Sequence, residues 1–238
     1  MIKTTTYYLI AATLFFVSCT SDKGKYEQGA VEHLDKLSET IGNLNSCSYT
    51  LNTVVHKGAD SEFINEHDVY MRGPNKMYVH TNGTKGQKGF WYDGGSFAYF
   101  SYNKNTYDTV SAASNIIATI DQIHNVYGID FPAADFFYPT FTDDILNNFN
   151  EVLLVGDENI DDVDCVVILA SNDDKELKIW IEKDSDLPHK MSIKPSDKSA
   201  SSYEAVFSNW RINPVLPDML FEFEPPTNSK REKLQTKK

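Results

Sequence analysis

From Ser46 onward the chain adopts a hydrophobic period of two and holds it in short runs for most of its length. In 46–56, Cys47, Tyr49, Leu51, Thr53 and Val55 alternate with Ser46, Ser48, Thr50 and Asn52. Such alternation places one set of side chains on a buried face and the other on a solvated face, the pattern of a half-buried strand. Similar runs follow at 62–72, 76–82, 88–93, 96–102 and 106–110. Between them lie Lys57-Gly58-Ala59-Asp60, Gly73-Pro74-Asn75, Asn82-Gly83, Asp93-Gly94-Gly95 and Asn103-Lys104-Asn105. Gly and Asn tolerate the backbone conformations that tight hairpins demand, so this spacing predicts an antiparallel meander.

Helical patterns interrupt the meander twice. Before it, Val31, Leu34, Leu37, Ile41 and Leu44 recur every three or four residues, predicting a helix within 26–44. After it, Ser114 is a candidate cap for a helix carrying Ile116, Ile117, Ile120, Ile123 and Tyr127, with Gly128 just past its end. Phe131-Pro132-Ala133-Ala134-Asp135-Phe136-Phe137-Tyr138-Pro139 is unusually aromatic for a loop, and a short helix is expected near 142–149. Strands resume at about 151–160, 163–171, 176–183, 189–194, 201–212 and 219–224. The expected fold is α+β and mostly antiparallel, with about 11–12 strands, an N-terminal helix and a helical insertion. A long antiparallel sheet must curl to bury one face, and a helix can plug the concave side. Periodicity alone also admits a β-sandwich.

The N-terminus reads as a secretory signal. Lys3 precedes the apolar run Tyr7 to Val17, which is shorter than the roughly 20 residues that span a bilayer core. Phe16-Val17-Ser18-Cys19 resembles a lipobox, so residues 1–18 are expected to be removed and Cys19 to carry acyl chains. Residues 19–25 then form a polar tether, 26–226 the folded domain, and 227–238 a basic disordered tail. This places the body in the periplasm, on either the inner or the outer membrane.

The chain has 22 basic and 34 acidic residues. Nucleic acid is a poor partner for such a balance, because phosphate neutralisation needs clustered Lys and Arg. Besides Cys19 there are Cys47 and Cys165, which an oxidising periplasm allows to pair although both lie in apolar runs. The histidines show no metal-ligand spacing. His67, flanked by Glu66 and Asp68, reads as a surface residue. Asp157-Glu158-Asn159-Ile160-Asp161-Asp162 lacks the Gly and terminal Glu of a calcium loop. No nucleophile or nucleotide motif is present. No catalytic residue, cofactor or metal is expected, and the chain does not read as an enzyme.

What stands out is aromatic. Phe90, Trp91, Tyr92, Phe97, Tyr99, Phe100, Tyr102 and Tyr107 crowd adjacent strands, with Phe136, Phe137, Tyr138 and Phe141 on the insertion. Most such side chains are ordinary core. Trp91, Phe97, Tyr99, Phe136, Phe137 and Phe141 are the candidates for lining an apolar ligand cavity.

Several segments carry a family resemblance. They are Trp91-Tyr92-Asp93-Gly94-Gly95 with Asn105-Thr106-Tyr107, Tyr127 to Asp135, Trp180-Ile181-Glu182 with Leu187-Pro188-His189-Lys190, and Asn209-Trp210-Arg211-Ile212-Asn213-Pro214 through Leu216-Pro217-Asp218 to Phe221-Glu222-Phe223. In this order they resemble the DUF2092 family of predicted periplasmic proteins, over about residues 30 to 226. Gly95 departs from the Lys or similar residue usual after the turn. The resemblance implies a fold like LolA, LolB and the lipid-sensing domain of RseB: an incomplete antiparallel barrel over a helical lid. It further implies a membrane-anchored protein binding a lipid or acyl chain, or else an envelope sensor or scaffold binding a partner protein.

Overall fold

The computed structural model describes residues 25–57, 61–197 and 199–237. The signal segment, Cys19 and all but the last residue of the tether lie outside the described residues. The chain runs β1 (Lys25–Tyr26), α1 (Gln28–Gly42), β2 (Ser46–Lys57), β3 (Ser61–Arg72), β4 (Lys76–Gly83), β5 (Lys88–Tyr92), β6 (Ser96–Ser101) and β7 (Thr106–Ser111). After α2 (Ile116–Tyr127), a 3-10 turn (Ala134–Phe137) and α3 (Phe141–Asn148) come β8 (Glu151–Ile160), β9 (Val163–Ser171), β10 (Lys175–Glu182), β11 (Pro188–Pro195) and β12 (Ser202–Ile212). A second 3-10 turn (Asp218–Leu220) and β13 (Lys230–Arg231) complete it.

The local signals act as their chemistry dictates. Asn115, one residue after the expected Ser114, caps α2 by accepting from the Ala118 amide at 2.9 Å. Gly128 ends that helix at φ 65° and donates its amide to His124 O. The Asp161-Asp162 pair, both at positive φ, forms the tight turn between β8 and β9.

Among the described residues the thirteen strands belong to one open sheet, ordered β1-β8-β9-β10-β11-β12-β2-β3-β4-β5-β6-β7-β13. Two meanders, β2–β7 and β8–β12, are joined where β12 returns beside β2, with Phe207 opposite Leu51 and Ala205 opposite Thr53. β7 and β8 therefore lie toward opposite edges of the sheet, and the segment between them must cross a face. It crosses the inner face, where the main core also receives Ala30, Leu34, Leu37 and Ile41 from one stripe of α1. The architecture is the incomplete antiparallel barrel with a helical lid.

Both ends of the sheet are closed by short pieces of the chain termini. β1 pairs parallel with β8, and the Tyr26 hydroxyl donates to Leu146 O at 2.7 Å. β13 pairs parallel with β7. Capping an edge in this way blocks its unpaired amides from recruiting another chain.

Two expectations differ from the structure here. Residues 219–224 are not a strand but part of a strap over the outer face, on which Phe221 is buried and Phe223 packs against Trp91 at 4.9 Å. Within the tail 227–238, expected to be disordered, residues 230–234 lie along β7 instead, and the Lys237 amide donates to Val126 O near the end of α2. Their anchor is Asp108, buried on the inner face, which accepts from the Leu234 amide at 2.9 Å and Arg231 Nε at 2.9 Å. Burial alone would raise the Asp108 pKa, but these hydrogen bonds and the Arg231 charge outweigh it and hold the carboxyl below its usual range.

Cys47 faces the main core, whereas Cys165 packs with Val167 and Trp180 in a small cluster on the outer face. The sheet separates them and both are free thiols. Burial pushes the Cys47 thiol up to about 12, and burial with nearby carboxylates pushes Cys165 up to about 11. In a chain starting at residue 24, neither thiol reacts with Ellman's reagent until guanidinium is added, and then both react without reductant; a disulfide would leave both silent. Phe207→Ala removes a fully buried ring at the junction of the two meanders. It costs about 3–5 kcal/mol in urea unfolding.

Candidate functional site

The crossing segment does not lie flat on the sheet. It touches down at Phe131, whose ring packs edge-on against Phe90 at 5.5 Å and Phe97 at 6.0 Å, and at Phe136, which meets Phe207 at 5.5 Å. Beneath Phe131, Pro132 and Ala134 the fit to Tyr49, Leu51, His67 and Val79 leaves only about 10 Å³. On either side of this contact the sheet and the segment part, and a cleft opens.

The first cleft, about 730 Å³, lies between β10–β12 and the α2, 3-10 and α3 elements. Its floor is Leu177, Ile179, Met191 and Ile193, and its roof includes Phe136, Phe141 and Ile145. Asp121, Asp130, Asp135, Asp144 and Lys175 also line it. Three of these carboxylates are engaged: the Tyr138 hydroxyl donates to Asp121 at 2.6 Å, the Thr140 hydroxyl donates to Asp144 at 2.7 Å, and His124 Nδ1 lies 2.7 Å from Asp130. The Tyr203 hydroxyl is enclosed and has no hydrogen-bond partner among the described residues. Burial, then the charge of Asp135, raises its pKa, so it stays a neutral phenol. An orphaned buried hydroxyl costs about 1–3 kcal/mol, which a polar atom of a ligand in this cleft would relieve.

The second cleft, about 510 Å³, lies between β3–β6 and residues 127–132, with Leu234 and Gln235 of the C-terminal segment as a further wall. Val79, Phe90 and Tyr99 supply its apolar part, His67 and Thr81 a polar strip, and Lys85 and Lys88 its basic groups.

The six aromatic candidates separate into three groups. Phe136 and Phe141, 4.8 Å apart, line the first cleft. Tyr99 lines the second, and Phe97 is fully buried behind it in the core. Phe137 stacks on Tyr49 at 6.1 Å, outside both clefts. Trp91 is on the outer face, opposite Ala98, between Tyr78 and Phe223 at 4.9 Å each. Its indole covers Gly89 closely enough to leave no room for a Cβ there. Trp91 therefore takes no part in a cavity on the inner side.

His67 is the clearest correction. It is buried on the inner face, with Nδ1 2.8 Å from the Thr81 hydroxyl and Nε2 3.2 Å from the Thr53 hydroxyl. Its neighbours Glu66 and Asp68 suggested solvent, but it is in phase with Val69 and Met71, and that phase decides the face. Phe90, Phe131 and Lys88 are not among the six candidates, yet all three line the second cleft; the same phase rule assigns Phe90 and Lys88 to the inner face with Tyr92.

Residues 30–234 match the model of the family DUF2092, described as a predicted periplasmic protein. Among solved structures the chain is similar to the Mycobacterium tuberculosis lipoprotein LppX, at 14% identity and a TM-score of 0.50, over 79% of this chain and 97% of that one. It is also similar to an uncharacterized conserved protein from Thermus thermophilus (10%, TM-score 0.49, over 86% of this chain and 99% of that one). A third similarity is to LprF from Mycobacterium bovis (13%, TM-score 0.48, over 87% and 100%). At such identities the LppX likeness is one of fold. No curated protein matches the chain.

Burial lowers the His67 pKa to about 4, against a smaller opposing effect of Asp68. The unfolded chain therefore binds a proton between about pH 6.5 and 4 that the folded chain refuses. Stability should fall by up to about 3 kcal/mol as pH drops through that window. Urea unfolding across this range checks the loss, and His67→Gln should flatten it.

Proposed function

The chain belongs to the DUF2092 family of predicted periplasmic proteins, and on that footing we propose that it is a lipid-anchored binding protein of the cell envelope, without catalytic activity. It takes a hydrophobic ligand, a lipid or acyl chain, between the sheet and the crossing segment. One observation carries the reading: the first cleft is large, open and apolar-floored, and encloses an unpartnered hydroxyl at Tyr203. Its volume falls within the roughly 300–1,000 Å³ of small-ligand sites. Each methylene removed from water there contributes about 0.8 kcal/mol, so an acyl chain binds without needing many polar contacts.

The anchor fits this reading sterically. Residues 19–24 reach at most ~20 Å at 3.3–3.6 Å per residue, so acylated Cys19 keeps Lys25 near the bilayer. Lys25 pairs with Glu151 beside Phe149, which lines the first cleft. That end of the cleft then sits close to a source of lipid.

Mass spectrometry of lipids extracted from residues 24–238, exported to the periplasm and purified without the anchor, tests the reading. The expected result is a lipid at about one per chain. Phe141→Ala and Tyr203→Phe lower its occupancy, while Trp91→Ala, on the outer face, leaves it unchanged. Recovery of no lipid, with added fatty acids also failing to bind, would overturn the proposal. It would turn the search toward a partner protein recognised by the curved sheet.

A further inference from the structure

Lys88 is the one lysine of β5 and projects from the inner face, opposite Thr81 and Ser101. It is half-buried, lines the second cleft, and among the described residues has no carboxylate within ion-pair distance. Burial, then the charges of Lys85 and Lys104, lower its pKa. Asp130 lines the same cleft but is engaged by His124. In a chain of net charge −12, a half-desolvated cation on the ligand-facing side is stabilised by any anion that enters the cleft beside it.

The rest of the cleft says what that anion is attached to. Along β5, the next inner-face side chain after Lys88 is Phe90, which packs against Tyr99 at 5.5 Å and Phe131 at 5.5 Å. Leu234 adds an aliphatic wall. A charged end therefore runs into an apolar one within a single cleft. The first cleft has the opposite character, with four aspartates among its lining residues that would repel an anionic head.

We propose that the second cleft receives a one-chain amphiphile with an anionic head, its carboxylate or phosphate paired with Lys88 and its chain against Phe90, Tyr99 and Phe131. This deepens the reading of the inner side as a hydrophobic-ligand site and rests on it. It adds a head-group preference and assigns it to one cleft. Lys85, whose ammonium lies 4.5 Å from the Phe63 ring centroid, adds long-range attraction at the mouth.

The test uses the full chain in phosphatidylcholine vesicles, with diazirine-bearing probes of one chain length: a fatty acid, its methyl ester and a lysophosphatidic acid. Fatty acid or lysophosphatidate should label peptides containing Phe90, Phe131 or Leu234, and the better of the two identifies the head. The methyl ester should need about tenfold more probe for half-maximal labelling, the loss expected for one charge-assisted contact. Lys88→Gln should produce the same tenfold shift for the acids, and Lys88→Arg should restore wild-type labelling. Equal labelling by acid and ester, or a folded Lys88→Gln that labels like wild type, would overturn the head-group assignment while leaving the hydrophobic-ligand reading intact. Failure of all three probes to label the inner face would overturn both. Displacement by millimolar inorganic phosphate alone would assign the site to a free anion and overturn the amphiphile.

Discussion

Pairing of β12 with β2, running from Ser202 opposite His56 to Ile212 opposite Cys47, decides where the remaining parts of this protein must go. It brings the last long strand of the second meander beside the first strand of the first. The ends left over, β7 and β8, are thereby driven to opposite sides of the sheet. They are consecutive strands in the chain, so the residues between them have to span the whole width. The inner face is the apolar one, and crossing it buries the aromatic stretch from Phe131 to Phe141. The lid is thus a consequence of strand order.

A segment crossing a curved surface cannot follow it everywhere. It closes on the sheet where large rings interdigitate, Phe131 with Phe90 and Phe97, and Phe136 with Phe207. Elsewhere it stands off. The two openings inherit different charges because different elements border them. Helices α2 and α3 bring Asp121 and Asp144 to one; the β4–β5 turn and the start of β5 bring Lys85 and Lys88 to the other. Between them, His67 is held neutral by its burial between two hydroxyls, so the contact that divides the clefts carries no charge of its own.

Much of this was legible in the sequence, and the exceptions have physical causes. Period-two alternation located eleven strands closely, because each has one face against the core. Gly128 and the Ile116–Ile123 spacing located α2. What failed was the relative phase of neighbouring strands. The sequence alone groups Trp91 with Phe97 and Tyr99 on one face, but the register of the β5–β6 hairpin sets Trp91 opposite Ala98. A one-residue change of register exchanges the two faces, and the turn Asp93-Gly94-Gly95 does not specify which register it makes. His67 reads as a surface residue because its neighbours in sequence are charged; its neighbours in space are Thr53 and Thr81, which lie on other strands. The C-terminal segment looked disordered by composition, yet one leucine and the buried carboxylate of Asp108, a partner far away in sequence, suffice to fix it along β7.

If the space between the sheet and the crossing segment is a binding site, a ligand taken up during export stays there through purification. A crystal structure of the protein exported to the periplasm and purified without detergent addresses this most directly. The expected result is continuous, elongated density beneath Phe136 and Phe141 or beside Phe90 and Tyr99, with the crossing segment standing off the sheet around it. A crossing segment collapsed onto Ile179, Met191 and Phe90, with both clefts closed and no density between the layers, would contradict it.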